Sequence, residues 1–140
     1  MVYKALLDTD MLSEILKGID RRVATRAMAY RDAFGHYTIS TITVMEIVKG
    51  LHKVQREERM QQFLDGLTTV ELLTLDLQSS VLAGRMYADL ERLGQPIGRA
   101  DPMIAAIALH HGLTLVTGNT NHYQRIQELG YRLKLDNWRT

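Results

Sequence analysis

Val2-Tyr3-Lys4-Ala5-Leu6-Leu7-Asp8-Thr9-Asp10 runs from an apolar stretch straight into Asp-Thr-Asp. Ala5-Leu6-Leu7 does not alternate apolar with polar, so a strand here has both faces covered. The same texture returns at Leu113-Thr114-Leu115-Val116, again ending in polar residues, Thr117-Gly118-Asn119. Short continuous apolar strands of this kind suit a parallel sheet with helices on both sides. In such sheets, sites lie beyond the carboxyl ends of the strands. Asp8, Asp10, Thr117 and Asn119 therefore fall where chemistry is expected.

Outward from these two stretches, strands and helices alternate. Strands are expected over residues 2–7, 36–40, 70–75, 113–117 and 132–135, from β-branched, aromatic or continuous apolar content. Helices are expected over 11–17, 20–34, 43 to about 54, 57–67 and 77–93, with Gly18, Gly35 and Gly94 as stop signals. Residues 101–111 are apolar almost all round, which predicts a buried helix. Pro96 and Gly98 mark a connector over 95–99, and 118–122 reads as a turn before a short helix. The fold class is α/β, one domain over residues 1–140, with a central parallel sheet of four to five strands.

Composition narrows the function. The chain has 140 residues, enough for one domain with its own core. It has no cysteine, which excludes a disulfide scaffold, a thiolate metal site and a cysteine nucleophile. No apolar run reaches the ~18 residues of a membrane span. Met1-Val2-Tyr3-Lys4 leads directly into the first strand without a signal-like apolar region, so a cytoplasmic protein is expected. The net charge is only +1, but 12 of the 17 basic residues are arginine, the side chain suited to bidentate phosphate contacts.

Three carboxylates and an amide arrive at similar places from distant parts of the chain. The first strand delivers Asp8 and Asp10. The second leads to Ser40, Thr41, Thr43 and Glu46. The connector Gly98-Arg99-Ala100 leads to Asp101, and the fourth strand to Thr117 and Asn119. Converging carboxylates repel one another and are costly to bury without a cation. Mg²⁺ or Mn²⁺ is the natural compensator for an all-oxygen set. Such an ion activates water and stabilises charge in a phosphoryl displacement.

Each residue also has a local structural explanation. Asp8 or Asp10 is a helix cap. Thr43-Val44-Met45-Glu46 fits a capping box. Asp101-Pro102 fits an N-cap followed by proline at the first helical position. Asn119 suits a turn. His52 and His122 lack a spacing partner, which argues against a histidine metal site, and the tyrosines read as core and surface filling.

Taken together, four segments resemble a known family: Leu6-Leu7-Asp8-Thr9-Asp10, Ile39-Ser40-Thr41-Ile42-Thr43-Val44-Met45-Glu46-Ile47, Pro96-Ile97-Gly98-Arg99-Ala100-Asp101-Pro102-Met103-Ile104-Ala105-Ala106 and Leu115-Val116-Thr117-Gly118-Asn119. In this order, with the closing Asp136-Asn137-Trp138, they resemble the PIN-domain ribonucleases, more narrowly the VapC-type toxins of bacterial toxin–antitoxin pairs. The resemblance implies an α/β/α sandwich. It implies that Asp8, Glu46 and Asp101 hold Mg²⁺ or Mn²⁺, with Thr117 and Asn119 completing the catalytic site. It implies cleavage of RNA, a tRNA or ribosomal RNA. It further implies a homodimer, a cognate antitoxin that blocks the site, and operator DNA bound only through that antitoxin. Partner binding is expected on the helices of residues 20–67. Arg99 is a candidate phosphate contact. Two positions depart from the family pattern: Asp10 stands where asparagine is common, and Asn119 where many relatives carry an acid.

Two other readings compete. Asp8-Thr9-Asp10 after an apolar strand also resembles the first motif of haloacid-dehalogenase-like phosphatases, with Asp8 as nucleophile and Asp10 as general acid. That chemistry expects a lysine near the later acids, and none occurs between Val54 and Leu133. A receiver-like phosphoacceptor module would use Asp8 and Asp10 for Mg²⁺, Asp76 as phosphoacceptor, Thr117 as switch and Lys134. It leaves Glu46 and Asp101 without a task.

Overall fold

The computed structural model describes residues 2–140. Among these residues the order is β1 (Ala5–Leu7), α1 (Thr9–Lys17), α2 (Arg21–Phe34), β2 (Thr38–Ser40), α3 (Thr41–Lys53), α4 (Glu57–Gly66), a 3₁₀ turn (Leu67–Thr69), β3 (Glu71–Leu73), α5 (Leu77–Arg92), α6 (Ala100–His110), β4 (Thr114–Val116), α7 (Thr120–Glu128) and β5 (Leu135–Asp136). The five strands form one parallel sheet in the order β3-β2-β1-β4-β5. The chain's first strand is thus its central one, with Ala5, Leu6 and Leu7 beside Thr114, Leu115 and Val116.

Side chains that alternate across the sheet feed two cores. Leu6 and Leu115 join Ala83, Met86 and Leu90 of α5, Ile104 to Ala108 of α6, and Tyr123 and Ile126 of α7. Ala5, Leu7, Ile39 and Val116 join Met11 and Leu12 of α1, Val23, Ala27 and Tyr30 of α2, and Trp138. Both faces of β1 are covered, which is why its sequence carries no polar alternation. The helix expected to be apolar all round, α6, is buried over Ile104–Ala108. Tyr30 ties the second core to the sheet: its buried hydroxyl accepts from Ala5 N–H at 3.1 Å and donates to Ala5 C=O at 3.2 Å. Tyr30→Phe strands both backbone groups and should cost about 2 kcal/mol. That corresponds to a Tm about 6 °C lower for a chain of this size. An unchanged Tm in calorimetry would mean that water replaces the hydroxyl.

Helix ends depart from the sequence reading in ways that matter for the site. α3 starts at Thr41 and is capped by Ser40, whose Oγ accepts from Thr43 N–H at 3.1 Å. Thr43-x-x-Glu46 is therefore not a capping box, and Glu46 is released from the helix terminus. α6 starts at Ala100, so Asp101 and Pro102 occupy its second and third positions and Asp101 is not the cap. α7 begins at Thr120, which shortens the expected turn and places His122 in the helix. β5 lies at Leu135–Asp136, later than expected, because Leu115 and Val116 fix its register. β3 is shorter than expected, covering Glu71–Leu73. Among the described residues, no helix is long and apolar enough to cross a membrane.

Candidate active site

Asp8 follows β1 and serves two purposes. Its Oδ1 accepts from Met11 N–H at 2.8 Å, capping α1, so the local explanation for this residue holds. Its Oδ2 accepts from the Thr117 hydroxyl, which arrives from the adjacent strand β4. Asn119 N–H in turn donates to Thr117 Oγ1 at 2.9 Å, fixing the hydroxyl's direction. Only 3% of Asp8 is exposed. Burial pushes its carboxyl up to about 7. The bonds from Thr117 and Met11 oppose the rise, and the charges of Asp10 and Asp101 add to it.

Glu46 reaches the same region from the second turn of α3 and accepts from the Thr9 hydroxyl. Thr43 lies beside them, its Oγ1 3.1 Å from Thr9 Oγ1. Asp101, from the first turn of α6, accepts from the Tyr123 hydroxyl at 3.2 Å and pairs with His122 Nδ1 at 3.1 Å. Tyr123 is buried, and its phenol is pushed well above its ordinary pKa. Burial is the main cause; Asp8, Asp101 and Glu46 all add to it. One phenol thus senses all three carboxylates. With its pKa raised, the hydroxyl keeps its proton and acts as a donor to Asp101.

Asp8 (with Thr117), Glu46 and Asp101 thus all lie within electrostatic reach of Tyr123, though among the described residues the three carboxylates do not place ligand atoms all within 4.8 Å of one another. Asn119 contributes its backbone; its side chain is exposed and makes no cap hydrogen bond. Arg99 is exposed immediately before α6 and forms no ion pair among the described residues. Sequence reasoning missed Tyr123, His122 and Thr9. The partner of His122 is a carboxylate, which histidine spacing does not report.

Among the described residues, no lysine or arginine pairs with Asp8, Glu46 or Asp101. The donor set is all oxygen apart from His122, and Asp8 carries a charge that burial opposes. These features fit a hard divalent cation. Among the described residues, the group of histidines and carboxylates whose ligand atoms all lie within 4.8 Å of one another is a different one, Asp76, His110 and His111. It is distinct from the first, since His110 stands about 14 Å along α6 from Asp101. Asp76 caps α5 through Ser79 N–H and pairs with His110 at 3.2 Å. That placement removes Asp76 as the phosphoacceptor of a receiver-like site.

An open parallel sheet with three carboxylates and a threonine hydroxyl gathered around its central strands defines a class: α/β proteins with an acidic centre suited to phosphodiester chemistry. The PIN domain family model matches residues 5–129. The tRNA(fMet)-specific endonuclease VapC of Shigella flexneri is 32% identical over 89% of this chain and 93% of that protein. The protein of the same name from Salmonella typhimurium is 30% identical over 98% of this chain and 99% of its own length. The crystal structure of DNA-bound VapBC from Salmonella typhimurium superposes with a TM-score of 0.81 at 30% identity, covering 98% of this chain and 99% of that one. The chain belongs to the PIN-domain family, in its branch of VapC-type ribonucleases.

Proposed function

We propose that this protein is a Mg²⁺- or Mn²⁺-dependent endoribonuclease that cleaves a tRNA in the cytoplasm as the toxin of a toxin–antitoxin pair. The observation that carries this reading is the meeting of Asp8, Glu46 and Asp101 around Tyr123 without a lysine or arginine partner. In it, Asp8, Glu46 and Asp101 hold the ion. When bound, the ion supplies a Lewis acid at the phosphate and lowers the pKa of water. Thr117 holds its proton on Asp8 Oδ2 and so fixes the carboxylate's orientation. Thr9 does the same for Glu46, and Tyr123 for Asp101. Such locking by neighbouring hydroxyls is what keeps a ligand set preorganised. Asn119 orients Thr117 through its backbone N–H and presents its amide to substrate. Arg99, exposed two residues from Asp101, contacts an RNA phosphate.

The partner reading rests on surfaces. A groove of about 200 Å³ between α1 and α4 is lined by Leu12, Ile15, Leu16, Phe63 and Leu67. An apolar antitoxin segment suits it, so the partner surface includes α1 as well as the helices of residues 20–67. Leu77 and Val81, exposed one turn apart on α5, suit contact with a second copy. Operator DNA contacts belong to the antitoxin.

Purified protein should cleave deacylated bulk tRNA with Mn²⁺ or Mg²⁺. EDTA should stop cleavage, and Asp101→Asn should slow it by about 10²–10³-fold while leaving the circular dichroism spectrum unchanged. Cleavage that persists in EDTA, or in Asp101→Asn, would remove the carboxylates from the chemistry.

A further inference from the structure

Asp10 stands two residues after Asp8, and the structure supplies it with a partner from the far end of the chain. Asp10 and Glu14 lie one turn apart on α1. The Arg139 guanidinium spans both, with Nη2 3.3 Å from Asp10 Oδ2 and 2.8 Å from Glu14 Oε1. Nη2 also donates to Asp10 Oδ1 at 3.4 Å. Arg139 is held from behind: its N–H donates to Asn137 Oδ1 at 2.9 Å, and the preceding Trp138 is anchored in the core. The pair packs over Gly118, between Thr117 and Asn119. A Cβ at residue 118 would run into both Arg139 Nη1 and Asp10 Oδ2. Glycine there leaves the space that the pair occupies. Asp10's charge also reaches the candidate centre, being one of the charges felt by Asp8.

We propose that Arg139 is a positioning residue that offsets part of the charge of Asp10 and draws its carboxylate toward the C-terminal segment and out of the ion's coordination shell, leaving Asp8, Glu46 and Asp101 as the ligand set. The inference rests on the divalent-ion reading above. Asp10 is then a tether for the C-terminal segment, and only the part of its charge that Arg139 leaves uncompensated reaches Asp8.

The sign of the effect separates this role from simple anchoring. Removing the Arg139 charge leaves Asp10 bare near the ion, so Mn²⁺ should bind more tightly. A purely structural tail contact would leave ion affinity unchanged or lower it. Mn²⁺ titration calorimetry on the full chain at pH 8 should show Arg139→Gln binding about fivefold tighter than the unsubstituted protein. Arg139→Lys, which keeps the charge, should stay within about twofold of the unsubstituted protein. Asp10→Asn combined with Arg139→Gln should also return to within about twofold, since both charges are then gone. Melting in EDTA monitors folding of each variant. If Arg139→Gln does not fold, Asp10→Asn alone decides, and it should bind about fivefold more weakly. Unchanged or weaker Mn²⁺ binding in folded Arg139→Gln overturns the proposal while leaving the ion reading intact. Failure of the unsubstituted protein to take Mn²⁺ overturns that reading and the proposal with it.

Discussion

Asp8→Asn will be more stable than the unsubstituted protein without metal, and nearly inactive. Asparagine keeps the geometry: its amide oxygen accepts from Met11 N–H as the carboxylate does, and asparagine is as good an N-cap as aspartate. Thr117 retains a polar partner. What disappears is a charge that burial opposes, with Asp10 and Asp101 adding repulsion. Below about pH 4, Asp8 is protonated in both the folded and unfolded chain. Between there and about 7, the unfolded chain loses the proton while the fold retains it, so stability falls as pH rises. Above about 7 the loss is complete. At pH 8 in EDTA, Asp8→Asn should therefore gain about 2 kcal/mol or more, a Tm about 6 °C higher. Cleavage should drop by about 10²–10³-fold. The gain should shrink toward pH 4. A lower Tm for the variant at pH 8 would show that the carboxylate charge stabilises the ion-free fold, and that burial is not the governing force at this residue.

Ion binding carries the opposite dependence. A divalent ion takes Asp8 ionised, so below about 7 binding must first expel a proton. Mn²⁺ affinity should be about tenfold weaker at pH 6 than at pH 8, with about one proton released per ion at the lower pH. Calorimetry in buffers of different ionisation enthalpy measures that release directly. At one hundred times its dissociation constant, the ion should add about 2.7 kcal/mol to stability. That offsets what Asp8 costs the ion-free fold. Equal affinity at the two pH values, with no proton released, would mean that Asp8 is ionised without the ion or is not a ligand.

The sheet was legible because it depends on local pattern, whereas the set of three carboxylates came from the family resemblance. Ala5-Leu6-Leu7 and Leu115-Val116 announce doubly covered strands, and Asp8 and Thr117 follow them by one residue. Helix starts were less legible. Ser40 and Thr43 are both good caps by residue type, and only the position of β2 decides that Ser40 takes the role. The carboxylates' partners were not legible at all. Tyr123 bonds Asp101 across 22 residues and Arg139 bonds Asp10 across 129, distances over which no periodicity reports. The groove likewise draws on α1 and α4, which approach one another only once the chain has folded.

The strand order has a consequence for biosynthesis. β1 is made first, yet one of its neighbours in the sheet, β4, is made after α6. Asp8 cannot receive the Thr117 hydroxyl, nor Asp101 that of Tyr123, until most of the polypeptide has left the ribosome. A growing chain therefore lacks both hydrogen bonds for most of its translation.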